Sequence, residues 1–340
     1  MSWSLRLPFL SLSLSVSQRA VAVGSVLMLL LTLGAVLALR LGSYAFTETS
    51  WLSVLLGAGS DIDRMILMDH RLPRILTALG AGACFGLSGA MFQTMMRNPL
   101  ASPDIIGFNA GASCGALLAI ILTGGNVLLG ALVGALFTAV LVVGLAWKDG
   151  LHPQRLVLIG LGIGFALAAL SDLLLSRTDA RTAADMAEWL IGTLNARDWQ
   201  DVWLVWSGLL LLAPAVFWIH FPLARLGLSD DLTSSLGLRL SPLRLGITGL
   251  GILLAALAVC TAGPLPFVAF AAGPIARALV PNGRPALLGA AVIGALLVLA
   301  ADTASRLVPS IQLPAGVFTA LIGGPVMIWL LMVQFRKGKL

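Results

Sequence analysis

The stretch His70–Met96 reads HRLPRILTALGAGACFGLSGAMFQTMM, and no charged residue follows Arg74 until Arg97. A helix needs roughly 20 apolar residues to cross the hydrocarbon core of a bilayer, and this stretch supplies them. Pro73 suits the first turn of a helix, where its missing N–H costs nothing. The reading is therefore a membrane-spanning helix over Leu72–Met96 with Arg71 and Arg74 near one end. Gly82 and Gly86 lie four apart, a spacing that lets a second helix backbone approach closely in lipid.

Similar apolar runs recur on both sides. They give approximate spans at Ala20–Leu41, Leu72–Met96, Asp104–Leu122, Val127–Trp147, Leu156–Ser176, Val202–His220, Leu245–Ala262, Phe267–Val280, Ala286–Ala304 and Gly316–Phe335. The runs are unbroken rather than alternating, so helices are favoured over a barrel. Composition agrees: 59% of the 340 residues are hydrophobic and 11% charged, against about a quarter charged in a soluble domain, and the mean hydropathy is +0.99. The fold expected is an all-α polytopic bundle with residues 1–19 as a cytoplasmic tail before a retained first span, 20–335 as one transmembrane domain, and 336–340 as a second tail. The eighth run is short and carries Pro264, Pro266, Gly273 and Pro274, the signature of a broken or tilted helix packed against protein.

Ten crossings put both ends on one side. If that side is cytoplasmic, 13 of the 21 Lys and Arg lie inside (Arg6, Arg19, Arg97, Lys148, Arg155, Arg225, Arg239, Arg244, Arg277, Arg284, Arg336, Lys337 and Lys339), whereas only Asp104, Asp149, Asp230 and Asp231 of the 15 acids do. Enrichment of Lys and Arg on the cytoplasmic side supports this orientation. The net charge of +6 then belongs to membrane loops, and nucleic acid is not expected as a partner. Cys84, Cys114 and Cys260 sit singly in apolar runs, without the spacing of a metal site or disulfide framework.

Several polar constellations interrupt the bundle. Arg71 and Arg74 fall on the outer side, where cations are disfavoured; they either snorkel to lipid phosphates or bind carboxylates of an external partner, for which arginine's forked geometry is suited. Arg306 follows Asp302 by four residues, the spacing of a local helical pair, and is a second outer cation. The longest inner loop, 221–244, contains Ser229-Asp230-Asp231-Leu232-Thr233-Ser234-Ser235-Leu236-Gly237. Ser229 can cap a helix, Asp230 and Asp231 suit its positive end, and Gly237 can stop it. A short helix offered to a cytosolic partner is expected there, with a solvated connector as the alternative. The loop Arg97–Asp104 reads as a tight turn with Asp104 capping the third span, and 177–201, with Trp189 and Trp199, as an interfacial helix.

His70, His152 and His220 are isolated, no HExxH pair exists, and no nucleophile has a base nearby in sequence, so an intramembrane enzyme has no motif behind it. Asp172 lies near a span end, unlike the mid-membrane carboxylates of proton-coupled carriers.

Taken in succession, Arg71-Leu72-Pro73-Arg74, Ser88-Gly89-Ala90, Arg97-Asn98-Pro99-Leu100-Ala101, Pro103-Asp104 and Gly107-Phe108-Asn109-Ala110-Gly111 resemble the FecCD-type permeases of ABC importers, which include vitamin B12 and ferric siderophore permeases. Leu236-Gly237, Gly263-Pro264, Pro274-Ile275-Ala276-Arg277, Ala301-Asp302 with Arg306, and Leu313-Pro314-Ala315-Gly316-Val317 extend the resemblance along nearly the whole chain. It implies a type II importer in which two permease chains form the path, separate ATPase subunits bind below, and a periplasmic binding protein delivers substrate. Arg71, Arg74 and Arg306 would then meet acidic residues of the binding protein, and Asp230, Asp231, Leu236 and Gly237 would belong to the helix seated in the ATPase. Two departures are Ser234-Ser235, where the family usually has Ala-Arg, and Gly273-Pro274-Ile275-Ala276-Arg277, which lacks the family's histidine.

The expected function is ATP-driven uptake of a ferric siderophore, a catecholate such as enterobactin, across the bacterial inner membrane by a heterodimer with a related chain. No cofactor and no catalysis are expected of this chain itself. The alternatives are a cobalamin or haem permease of the same family and, from another class, a proton-coupled secondary transporter.

Overall fold

The computed structural model describes residues 2–7, 12–42, 44, 51–57, 60–124, 126–281, 285–308 and 313–336. Arg284 and the tail residues 337–340, counted above as cytoplasmic, lie outside them. Where the sequence reading has a plain tail, an antiparallel pair forms from β1 (Ser2–Leu7) and β2 (Leu12–Ser17). Its cause is visible in Leu12-Ser13-Leu14-Ser15-Val16-Ser17, an alternation of period two that suits a strand. The helix α1 (Gln18–Arg40) follows, capped by Ser17.

Beyond it come α2 (Trp51–Leu55), α3 (Asp61–Met65), a π-helical turn over Ile66–Arg71 and α4 (Leu72–Met95). Asp61–Met95 is thus one continuous 35-residue helical stretch, longer than the sequence reading. Then follow α5 (Phe108–Thr123), α6 (Val127–Ala146), α7 (Pro153–Ser176), α8 (Ala180–Ile191) and α9 (Trp199–Arg225). The chain closes with α10 (Asp230–Ser235), α11 (Leu240–Ala262), α12 (Val268–Leu279), α13 (Leu287–Leu307) and α14 (Ala315–Arg336). Seven stretches are long and apolar enough to cross a membrane, and the apolar helices within α5, α12 and α14 are shorter; together they occupy the ten expected runs.

The buried axis of the bundle is α4, which packs on α13, α11, α12 and α9. Its small residues make this possible. A Cβ added at Gly82 or Gly86 would strike the α13 backbone at Gly294 or Ala290, and one at Gly89 would strike Ala269 of α12. The pair α5 and α6 repeats the device, with Gly111 and Gly115 against Gly130, Gly134 and Thr138. Backbones in such contact gain dispersion and shape fit where lipid offers no hydrophobic driving force. By contrast α1 buries only Ala38 and Leu39, as a helix with a broad lipid-facing surface should. The short α12 extends about 18 Å, less than the hydrocarbon core, and is buried on both sides of Pro274, so its irregular start at Phe267 is shielded by protein.

The third span differs from expectation. Ser102, not Asp104, caps a 3₁₀ turn at Pro103–Ile106, Gly107 takes a left-handed conformation (φ 82°), and the helix begins only at Phe108. This turn is not at the inner surface. Gly107 touches Gly160 and Gly164 of α7, about 10 and 16 Å along that helix from Pro153 at 1.5 Å per residue. The chain after α4 therefore climbs back into the membrane before α5 starts, and Asp104, counted above as a cytoplasmic acid, lies at membrane depth.

Candidate functional site

At the end that the charge distribution assigns to the outside, the π-helical turn over Ile66–Arg71 carries Arg71 into the protein. Its side chain donates to backbone, through Nη1 to the carbonyls of Leu39 (2.6 Å) and Arg40 (3.2 Å) and through Nη2 to that of Tyr44. These carbonyls close the C-terminal end of α1, the negative end of its dipole, where a cation is favoured. Gly42 leaves room beside it, since a Cβ there would lie 2.8 Å from the guanidinium.

One turn along, Arg74 grips Asp302 of α13, with Nε at 2.9 and 3.1 Å from the two carboxylate oxygens and Nη2 at 2.7 Å. Asp302 is fully buried and also meets Arg306 Nε at 3.3 Å, the local pair its spacing implied. Arg306 Nη1 reaches back to the carbonyls of Ala38 and Leu41 at 3.2 and 3.3 Å. The three arginines singled out in the sequence thus converge on one carboxylate and the end of α1. None of them snorkels outward. They line a cavity of about 660 Å³ together with His70, Asn195 and Arg197. Arg197 pairs with Asp201 at 3.6 Å. Arg197 Nε and Arg306 Nη2 are buried without a hydrogen-bond partner among the described residues. Four guanidiniums around so few carboxylates make this an anion-accepting surface.

At the opposite end, read as inner from the charge distribution, α10 is the short helix expected of the 221–244 loop. Ser229 accepts from the Leu232 N–H at 3.3 Å. Gly237 (φ 79°) follows, with its N–H on the Ser234 carbonyl and the Leu238 N–H on that of Thr233, the paired bonds of a glycine-terminated helix. Asp230 fastens it to the bundle: it accepts from Arg97 Nη2 at 2.6 Å and from Arg244 Nη2 at 2.8 and 2.9 Å. Burial works to raise the Asp230 pKa, but the Arg244 and Arg97 hydrogen bonds outweigh it and hold the carboxyl below its usual range. Thr233 is fully buried, whereas Asp231, Leu232, Leu236 and Gly237 face solvent. Leu232 and Leu236, a helical turn apart, form a free apolar face.

Sequence reasoning missed the partners rather than the elements. Arg97 and Arg244 stood there only as inner cations, and Arg74 and Asp302 are 228 residues apart, so no spacing rule could join them. The segment 177–201 does form a helix, α8, but Trp189 is buried and Trp199 donates to the Met68 carbonyl at 3.0 Å. At its end Gly192 (φ 92°) accepts from the Gly316 N–H at 2.9 Å and abuts Pro264, joining α8, α11 and α14 in one junction. No group of three metal-ligating side chains occurs among the described residues.

Comparison with known proteins matches these features to one group. The FecCD transport family aligns with residues 29–333. The ferric enterobactin transport system permease protein FepG of Escherichia coli (strain K12) is 38% identical, covering 88% of this chain and 92% of that one. A siderophore transport system permease protein, YfhA, of Bacillus subtilis (strain 168) is 38% identical over 81% of this chain and 84% of its own. Among solved structures, an inward-facing transporter assigned to the metal-chelate ABC type superposes with a TM-score of 0.82 at 28% identity, covering 92% of this chain and 99% of that chain. With its ten apolar runs and its arginine cluster and capped helix in place, this chain belongs to the FecCD transport family, as a multi-pass ABC importer permease.

Proposed function

We infer that the chain is one permease half of an ATP-driven importer for a ferric siderophore, a catecholate such as enterobactin, in the bacterial inner membrane with both termini cytoplasmic. The observation that carries this reading is the polarity of the bundle: an arginine-lined cavity at one end and a capped helix with a free apolar face at the other. Similarity to the FepG permease supports the substrate, and that relative's name is the ground for catecholate. In this reading Arg74 and Arg306 meet acidic residues of a periplasmic binding protein, and Arg71 holds the end of α1 beneath them. Asp230 anchors the coupling helix, while Asp231, Leu236 and Gly237 present it to the ATPase. A second, related permease chain completes the path. ATP is hydrolysed in the partner, and the push reaches this chain through α10, which is tied to α4 by Arg97 and to α11 by Arg244.

The test is co-purification from the native membrane combined with uptake. An ATPase, a second permease and a binding protein should accompany the chain, and ATP depletion should stop ferric catecholate uptake. Arg74→Glu with Arg306→Glu should weaken the binding protein's affinity by at least about tenfold, as loss of charge pairs does. Undiminished affinity and uptake would sink the docking role, and uptake abolished by collapsing the proton gradient but not by ATP depletion would favour a secondary carrier.

A further inference from the structure

The bundle contains a second cavity, of about 630 Å³, with a different character from the arginine-lined one. Its walls are apolar, from Ile191 of α8, Pro264, and Val317 and Ala320 of α14, save for two polar side chains, Asp104 and Asn109. Both are half-buried and bound to each other, Asn109 Nδ2 donating to Asp104 Oδ1 at 2.7 Å while Ser102 Oγ donates to Oδ2 at 2.9 Å. A carboxylate has about four acceptor positions, so these two donors leave it capacity toward the cavity.

Depth gives the pair its meaning. The 3₁₀ turn that carries Asp104 leads into Gly107, wedged against Gly160 and Gly164 of α7, so the carboxylate sits well inside the bilayer rather than in a loop. On the far side the cavity is bounded by the junction of α8, α11 and α14 at Gly192, Pro264 and Gly316. An ionisable side chain at membrane depth is retained against a desolvation cost and marks a pathway more often than a packing position. A mostly apolar cavity of a few hundred Å³ with a few placed polar groups is the form that small-molecule sites take.

We propose that Asp104 and Asn109 form a contact site for the passing chelate at mid-membrane depth, where the carboxylate makes the path sensitive to the chelate's net charge. This rests on the reading of the chain as a metal-chelate path. Asn109 and Asp104 offer acceptors to hydroxyl and amide N–H groups on the chelate's organic shell, and the negative charge opposes polyanionic complexes. Neither residue belongs to the arginine cavity or to the coupling helix.

The test compares one tricatechol ligand carrying iron(III), a trianion, with the same ligand carrying germanium(IV), a dianion of nearly the same shape, so that the binding protein meets one surface. Uptake of both is measured in the full complex. Asp104→Asn should raise the iron-to-germanium rate ratio at least about threefold, the size expected of one unit charge removed at about 10–20 Å in a medium of intermediate polarity. Ala320→Asp, which adds a carboxylate on the opposite wall, should lower the ratio. Opposite signs are not what general damage produces, and if Asp104→Asn fails to reach the membrane, Ala320→Asp decides alone. An unchanged ratio, or an equal fall for both complexes, overturns the proposal. A wild-type complex that moves neither form removes the siderophore reading and this inference with it.

Discussion

The two ends of the bundle use charge in opposite ways. At the outer end Asp302 is fully buried and shared by Arg74 and Arg306, so these two guanidiniums already hold an internal carboxylate between them. At the inner end Asp230 is 45% exposed on its side chain and ties only one edge of α10 to the bundle, leaving Leu232 and Leu236 free. A buried pair cannot receive a new carboxylate without rearranging, whereas an exposed helix can be seated as it stands. The outer site is thus suited to exchange partners on docking, and the inner one to transmit a push rigidly.

The largest effect that would sharpen this contrast is Asp302→Ala. It leaves two buried guanidiniums unpaired, and loss of one partner of a buried ion pair costs about 3–5 kcal/mol. The purified chain should therefore lose thermal stability markedly in detergent. A loss below about 1 kcal/mol, the scale of exposed pairs, would mean that the outer cluster is not structural and the contrast is false.

A smaller effect belongs to the inner face. Leu236→Asp changes an exposed side chain, so thermal stability should move by no more than about 0.5 kcal/mol, while an anchor lost from a partner's pocket costs about 2 kcal/mol or more in binding. Retention of the ATPase on the permease should fall by at least about tenfold with the fold intact. Equal retention would place the partner's contact elsewhere on the loop.

How much of this was legible follows from the range of the signals. The spans were, because an apolar run is a local property and the requirement that backbone polar groups be satisfied in lipid leaves few alternatives. So was α10, since Ser229 and Gly237 mark its ends within nine residues of sequence. What escaped was set by tertiary contact. The π-helical turn that buries Arg71 has no mark in the sequence, and Asp302 becomes a shared acceptor only because α13 lies along α4. The depth of Asp104 escaped for a related reason: Asn98-Pro99 and Ser102-Pro103 read as a surface turn, and only the contact of Gly107 with α7 shows that the chain re-enters the membrane there.

The smallest expected effect concerns pH, and it separates the anchor from a titrating switch. Asp230 has its pKa depressed, the Arg244 and Arg97 bonds outweighing burial. A group depressed in the folded state contributes stability that is fully present above its unfolded value, about 3.9 for aspartate, and lost only as pH falls through the lower folded value. Between about pH 8 and pH 5 the anchoring of α10 should therefore be constant, read as hydrogen exchange of the Leu232 to Leu236 amides corrected for intrinsic rate. Raised salt should loosen it slightly, because the Arg97 pair is 37% and 45% exposed on its two side chains and exposed pairs are screened. A change in protection centred near neutral pH would show that some group other than Asp230 holds the helix, and the rigid inner link would have to be rebuilt around it.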